Sequence, residues 1–254
     1  MSLSPIVFIS GATSGLGREL VYLFSKHKYR IIMCGRSESL LAELKNEIED
    51  KDSTECITIK TDLNSLVDLK DQLEQLPSEW SSINVLINNA GIASISNFEN
   101  LSLDEINQMI DVNIKATVGI THLLLPHLKR SSGHIINIGS IAKQEAFENG
   151  NVYSSSKLAI DHFSKCLRND LLMHNIRVSV IHPGYIRNDF VLKSSKSTKS
   201  LASFFKGFQP LEMTYVAELV YFMASQPSSV CIDELTVTPS QQSGPKNIYR
   251  KNSV

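Results

Sequence analysis

Cysteine is scarce and scattered: Cys34, Cys56, Cys166 and Cys231 form no C-x-x-C pair. Such spacing suggests neither a zinc site nor a disulfide framework, and fits reduced thiols in a cytosol. Long hydrophobic runs are missing too. Nowhere do about eighteen apolar residues follow one another, as a membrane helix would need. The opening MSLSPIVFIS has no basic segment ahead of its short apolar run, so no secretory leader is expected. Nor does charge of one sign accumulate: 25 Lys and Arg against 26 Asp and Glu leave a formal net charge of −1, without a long basic tract. Nothing therefore draws the chain to nucleic acid or an anionic membrane by field alone, and its expected partners are small molecules. No internal repeat or interdomain linker divides the 254 residues, of which 42% are hydrophobic. One domain spanning 1–254 is expected.

What the chain does have is a rhythm. Short β-branched runs (IVFI, IIMC, CITIK, NVLIN, HIINI, RVSVI) alternate with segments of helical period. The latter predict helices over Gly15 to His27, Leu40 to Ile48, Leu66 to Leu76, Asp104 to Leu128 and Asn151 to His174. Strands that are nearly continuous apolar runs belong to parallel sheets covered on both faces, so the fold class is α/β, a doubly wound Rossmann sheet. The one compositional break, Arg187 to Pro210 with KSSKSTKS, follows a strand's carboxyl end, where such sheets bind ligands. It reads either as a substrate lid or as a solvated surface insertion, and 243–254 reads as a flexible tail.

Immediately after the first strand, SGATSGLG turns the chain into a helix. Glycines there allow a tight turn, a close approach of pyrophosphate and close helix packing, while the helix start offers unpaired N–H groups. Gly11, Thr13, Ser14, Gly15, Leu16 and Gly17 are thus candidate cofactor contacts. The second strand ends in Cys34-Gly35-Arg36. Gly35 stands where an NAD-preferring site carries an acid for the ribose hydroxyls, and Arg36 offers a planar donor fork for a 2′-phosphate, which points to NADP. Asp62 in KTDL closes the third strand, where it resembles the adenine-contacting acid of a known nucleotide-binding family or simply caps the following helix. NNAG, Asn88 to Gly91, closes the fourth strand and brings Asn89, Ala90 and Gly91 beside the cofactor.

Tyr153 and Lys157 stand four apart on a predicted helix, so they share a face. A phenol of ordinary pKa about 10 accepts a proton poorly at neutral pH; a neighbouring ammonium is expected to lower it. Ser140, thirteen residues earlier and beyond a strand end, can offer its hydroxyl to a reacting oxygen. The G-x-x-x-G-x-G spacing, NNAG, and Asn113, Ser140, Tyr153 and Lys157 in the contexts DVN, IGS and Y-S-S-S-K resemble the short-chain dehydrogenase/reductase family from Ser10 to about Gln241. The resemblance implies an enzyme transferring a hydride between NADP(H) and an alcohol or carbonyl, with no metal. Tyr153 would be the general acid or base, and Ser140 would hold the substrate oxygen. Lys157 would touch the nicotinamide ribose, while Asn113 would anchor a water relay. Pro183 and Gly184 resemble the family's turn beside the nicotinamide, with Ile186 and Asn188 following; many members carry threonine where Asn188 stands.

The stretch SIAKQEAFENGNVYSSSK, with LRNDL, PGYI and the C-terminal VAELVYFMASQPSSVCIDELTVTPSQQ, resembles a branch acting on 3-hydroxy acids such as serine and allo-threonine. Arg187, Lys193, Lys196, Lys199 and Lys206 make the lid basic, and Arg187, nearest the nicotinamide turn, is the candidate for a substrate carboxylate. Reduction of a 3-oxoacyl thioester or bulky ketone is the alternative within enzymes. From another class, an NADP(H)-binding regulatory protein with little turnover would not need Tyr153 beside Lys157. Family habit implies a homotetramer or homodimer built from long helices.

Overall fold

The β-branched runs become strands of one parallel sheet in the computed structural model, which describes residues 4–195 and 200–251. They are β1 (Ile6–Ser10), β2 (Arg30–Gly35), β3 (Cys56–Lys60), β4 (Val85–Asn88), β5 (His134–Ile138), β6 (Arg177–Pro183) and β7 (Glu234–Val237). Their order is β3-β2-β1-β4-β5-β6-β7, with Ser10 beside Cys34 and Ile9 beside Ile87 on either side of β1. The chain winds outward one way from β1 and the other way from β4. The connections leaving the carboxyl ends of those two strands therefore run in opposite directions, which opens the crevice where doubly wound folds bind ligands.

Alternate residues of each strand serve opposite faces. Val7, Ile9, Ile31 and Met33 pack with α1 (Gly15–Lys26), α2 (Glu38–Asp52) and the last helix, α9 (Met213–Ala224). Phe8, Ile32, Leu86 and Ile135 pack with α3 (Val67–Glu74), α5 (Thr117–Ser131) and the end of α6 (Asn151–Leu171). This two-sided burial is why β1, β2 and β4 carry almost no polar side chains.

Several elements differ from their sequence reading. Helix α2 starts earlier because Ser37 accepts the Leu40 N–H at 3.3 Å. The stretch expected as helix over Asp104 to Leu128 is α4 (Leu103–Ile110), a π-helical turn at Asp111–Ala116, and α5. A reciprocal Ser102–Glu105 capping box starts α4. The segment after β6 holds two short helices, α7 (Phe190–Ser194) and α8 (Leu201–Phe204); Lys196 and Lys199 lie outside the described residues. Of the residues read as a flexible tail, 243–254, those described lie back on that segment: Lys251 N–H donates to Gly207 O at 2.8 Å, and Arg250 to Lys206 O at 2.8 Å. Their own backbone groups find partners there, with Tyr249 N–H on Gln241 O at 2.8 Å. No helix among the described residues is long and apolar enough to cross a membrane.

Candidate active site

The glycine turn is built for close approach. Gly11 and Gly15 adopt φ of +65° and +53°, a left-handed backbone that side chains resist. Gly17 faces the Gly11 carbonyl so closely that a Cβ there would overlap it. Ser14 precedes α1 without a side-chain cap, and no acid lies in the first turn, so the N–H groups at that end keep their capacity for an anion. The NNAG segment is pinned to this turn. Ser10 Oγ accepts the N–H groups of Asn89 and Ala90 at 3.0 and 3.1 Å, and Asn89 Nδ2 donates to the carbonyls of Ser10 and Gly11 at 3.0 and 3.2 Å. Leu16 is buried beneath the turn.

At the carboxyl ends of β2 and β3 opens a cleft of about 600 Å³ lined by Arg36, Lys60, Thr61, Asp62, Asp68, Asp71 and Gln72. Arg36 is exposed and has no hydrogen-bond or ion-pair partner among the described residues, whereas Lys60 pairs with Glu38 at 3.0 Å. A Cβ at Gly35 would lie 3.1 Å from Thr13 Cγ2, so an acid at 35 would press on the turn. The buried Thr61 hydroxyl has no hydrogen-bond partner among the described residues. Asp62 does not cap α3, which begins after Leu66; its Oδ1 accepts the Asn64 backbone N–H at 3.0 Å and Asn64 Nδ2 at 2.8 Å. A vacant arginine fork, an orphaned hydroxyl and an uncapped glycine turn in one crevice fit a phosphorylated dinucleotide.

Asn113, Ser140, Tyr153 and Lys157 converge on the carboxyl ends of β4 and β5. The π-helical turn delivers Asn113, buried, whose Oδ1 accepts the Ile92 N–H at 2.8 Å. Its Nδ2 donates to Ile92 O at 2.9 Å and to Ser156 Oγ at 3.0 Å. Ser156 in turn donates to the Tyr153 carbonyl at 2.7 Å, so Asn113 is tied to the helix that carries the phenol. Lys157 is buried, with Nζ 2.9 Å from the Ile138 carbonyl and 6.0 Å from the centre of the Tyr153 ring. A Cβ at Gly91 would stand in ordinary contact, 3.5 Å, with both Asn113 Oδ1 and Lys157 Nζ, which places that residue directly beside them. Ser140 has an extended backbone; its Oγ accepts the Ala142 N–H at 3.1 Å, and its hydroxyl favours the ionised form of the Tyr153 phenol.

Burial pushes the Tyr153 phenol up; the Ser140 hydroxyl opposes this, and Tyr185 adds to it. The Lys157 ammonium is pushed down by burial to about 8. The resting phenol is therefore protonated.

After β6, Gly184 N–H bonds Val237 O at 2.8 Å, and Gln242 Oε1 accepts the Tyr185 N–H at 2.9 Å. Ile186 bridges to Leu211, and Asn188 Oδ1 accepts the Phe190 N–H at 3.2 Å, starting α7. Phe190 lies 6.2 Å, centre to centre, from Tyr153. Arg187 is not free: its Nε donates to Glu212 at 2.8 Å, and its guanidinium covers Phe205 at 5.9 Å. Ser10, Ser156 and Gln242 join the site without having been singled out in the sequence. Each acts through contacts over 40 residues or more in sequence, or through main-chain groups, and so leaves no local pattern.

A Rossmann sheet with a glycine turn, an arginine at the second strand and a serine, tyrosine and lysine over the switch point defines a dinucleotide-dependent dehydrogenase class. The chain belongs to the short chain dehydrogenase family, whose pattern it matches over residues 5–199. It is 32% identical over 251 residues to the NADP-dependent 3-hydroxy acid dehydrogenase of Schizosaccharomyces pombe, covering 97% of each chain. Sulfoacetaldehyde reductase 2 of Chromohalobacter salexigens is 31% identical over 250 residues, with 94% of this chain and 96% of that one covered. Among solved structures, the closed form of a serine dehydrogenase complexed with NADP+ superimposes with a TM-score of 0.86 at 32% identity, covering 97% of this chain and 100% of that one.

Proposed function

We propose that the protein is an NADP-dependent oxidoreductase that interconverts a short 3-hydroxy acid and its oxo counterpart. The observation that carries this is the Ser140–Tyr153–Lys157 group, with Asn113 behind it, beside a glycine turn and an unpaired Arg36. When bound, the nicotinamide supplies or accepts the hydride.

The chain's own residues do the rest. Gly11, Thr13, Ser14, Gly15, Leu16 and Gly17 cradle the pyrophosphate, with Asn89, Ala90 and Gly91 alongside; Arg36 takes the 2′-phosphate, and Asp62 borders the adenine. Pro183, Gly184, Ile186 and Asn188 wall the nicotinamide side. Ser140 orients the substrate oxygen, and the protonated Tyr153 phenol gives it a proton during reduction. In oxidation Tyr153 must first lose that proton, and the Lys157 ammonium stabilises the resulting phenolate. Lys157 also holds the ribose side of the site. Asn113, its side chain committed to Ile92 and Ser156, fixes the geometry around Lys157 and anchors a water through which the proton is exchanged.

Arg187 binds the substrate carboxylate through the guanidinium N–H groups that Glu212 leaves open, and 187–210 closes over it as a lid. A 3-hydroxy acid, serine and sulfoacetaldehyde are all small, and the two acids and the sulfonate carry an anionic end, which suits an arginine fork. The chain works in the cytosol, where Cys34, Cys56, Cys166 and Cys231 stay reduced. It assembles as a homodimer or homotetramer through long helices whose exposed apolar residues include Val118 on α5 and Leu158 on α6.

Initial rates with NADP and NADPH across short hydroxy acids, sugars, acyl thioesters and steroids test the reading. Turnover of three- to five-carbon hydroxy acids is expected. Good turnover of an uncharged bulky ketone or an acyl thioester, with none of a short acid, overturns it. Tight NADPH binding with no turnover anywhere makes the protein a nucleotide-binding regulator instead.

A further inference from the structure

Behind Ser140, on the side away from the crevice, lies a charged network outside the group described above. His182, fully buried near the end of β6, has Nδ1 accepting the backbone N–H of Ser140 at 3.2 Å. Its Nε2 faces Asp161 Oδ1 at 3.0 Å and Glu234 at 3.8 Å. Lys143, from the turn after Ser140, bonds Asp161 at 2.7 Å and Glu234 at 2.6 Å. Lys165 closes the network from α6, 2.9 Å from Asp161 and 3.4 Å from Glu234. Asp161, His182 and Glu234 have the side chains of a metal site, but the Lys143 ammonium already bridges the two carboxylates. The network needs no further cation.

From this geometry we infer that His182 is a positioning residue for Ser140, fixing the serine backbone through Nδ1, while Asp161 Oδ1 faces Nε2 at 3.0 Å from the other side. The inference rests on the proposed role of Ser140. Three facts carry it. First, the Ser140 N–H finds its protein acceptor in His182, because the turn's own bonds begin with the Ser140 carbonyl and hydroxyl as acceptors. Second, the ring is held in place by fit. A Cβ at Gly139 would collide with Nδ1, so the residue before Ser140 is glycine where the imidazole lies against it. Third, accepting an N–H requires a lone pair on Nδ1, which puts the ring proton on Nε2, towards the Asp161 carboxylate.

Protonation of the ring would replace that lone pair with a second N–H, opposed to the Ser140 N–H. The surroundings act against it: burial and then the Lys143 ammonium push His182 down to about 4, over the opposite pull of Asp161 and Glu234. At neutral pH the acceptor is therefore kept. Asp161 is the eighth residue after Tyr153 and the fourth after Lys157 on α6. One helix thus presents the phenol and the ammonium to the crevice and the carboxylate to the ring that sets the serine.

The test compares His182→Leu, which loses the acceptor, with His182→Asn, whose Oδ1 stands near the place of Nδ1. Each is assayed in the reductive direction on whichever carbonyl compound the wild type reduces best. His182→Leu is expected to lower kcat roughly 10- to 100-fold, the scale for a misplaced reacting group. NADPH affinity should stay unchanged, and His182→Asn should recover most of the loss. In this direction Tyr153 must be protonated, so acid does not disable it. A fall in wild-type kcat below about pH 5, absent in His182→Asn and with the fold retained by circular dichroism, is the expected signature. Equal kcat in folded His182→Leu and wild type overturns the inference, as does loss of NADPH binding in parallel with kcat. Side-chain ¹⁵N NMR of His182 provides an arm that needs no substrate. A protonated Nδ1 at neutral pH contradicts the positioning role, whereas failure of the whole carbonyl panel contradicts only the proposed reaction.

Discussion

Gly17 stands against Gly11 with no room for a methyl group between them, the Gly11 carbonyl occupying the place a Cβ would take. Asn89 Nδ2 lies against the same spot and bonds that carbonyl at 3.2 Å, so none of the three can yield alone. Gly17→Ala is expected to displace the turn and lower NADPH affinity by more than about tenfold, a loss of at least ~1.4 kcal/mol. Titration of NADPH fluorescence against the folded variant checks it; unchanged affinity would show that the turn does not hold the cofactor.

Arg36 is exposed and unpaired among the described residues, so its removal orphans none of them and reports on the nucleotide. Losing a charge-assisted contact to a 2′-phosphate costs on the order of 1.5–3 kcal/mol. Arg36→Ala should therefore weaken NADP by roughly tenfold or more and leave NAD almost unaffected. Equal use of NAD and NADP by the wild type would remove the basis for this assignment.

Lys157 links the site to stability. Burial lowers its ammonium from 10.5 to about 8, so between those values the unfolded chain binds a proton that the folded chain has released. Stability contributed by this group thus rises as pH climbs through the folded pKa and is lost as pH falls back through it. Urea melts of the cofactor-free protein at pH ~7 and ~10 should show a gain on the order of 2 kcal/mol in wild type relative to Lys157→Met. An identical pH dependence in both proteins would mean that Lys157 is not desolvated.

The Arg187 ion pair with Glu212 suggests a paired experiment. Arg187→Ala is expected to raise KM for a short hydroxy acid several-fold more than for an uncharged alcohol, while Glu212→Gln, by freeing the guanidinium, should lower it. Equal changes in KM for both substrates in Arg187→Ala would dismiss Arg187 as the carboxylate partner.

Sequence reading reached the parts of this molecule whose signal is local. Six of the strands are nearly continuous apolar runs, and Tyr153 and Lys157 declare a shared helix face by their spacing. β7, ELTV, did not stand out; it is an edge strand of four residues, alternately exposed, with too little apolar content to mark it. The π-helical turn at Asp111–Ala116 uses residues that would serve equally in an α-helix, and only packing of Asn113 against Ile92 distinguishes it. His182 offered one clue, a histidine inside the apolar run RVSVIHP, but Asp161 and Glu234 lie 21 and 52 residues away in sequence. The direction of the Tyr153 shift was out of reach for a similar reason: it depends on how deeply the phenol is buried, which the fold decides.

The most direct measurement is the reductive turnover of Tyr153→Phe with NADPH and the best small oxo acid, made alongside NADPH affinity. Only the phenolic oxygen is removed, and the ring keeps its place 6.2 Å from Phe190. If Tyr153 gives the proton, kcat falls by about 10²- to 10⁴-fold while NADPH binds as before. A correctly folded Tyr153→Phe protein that retains wild-type kcat would contradict the proposed chemistry.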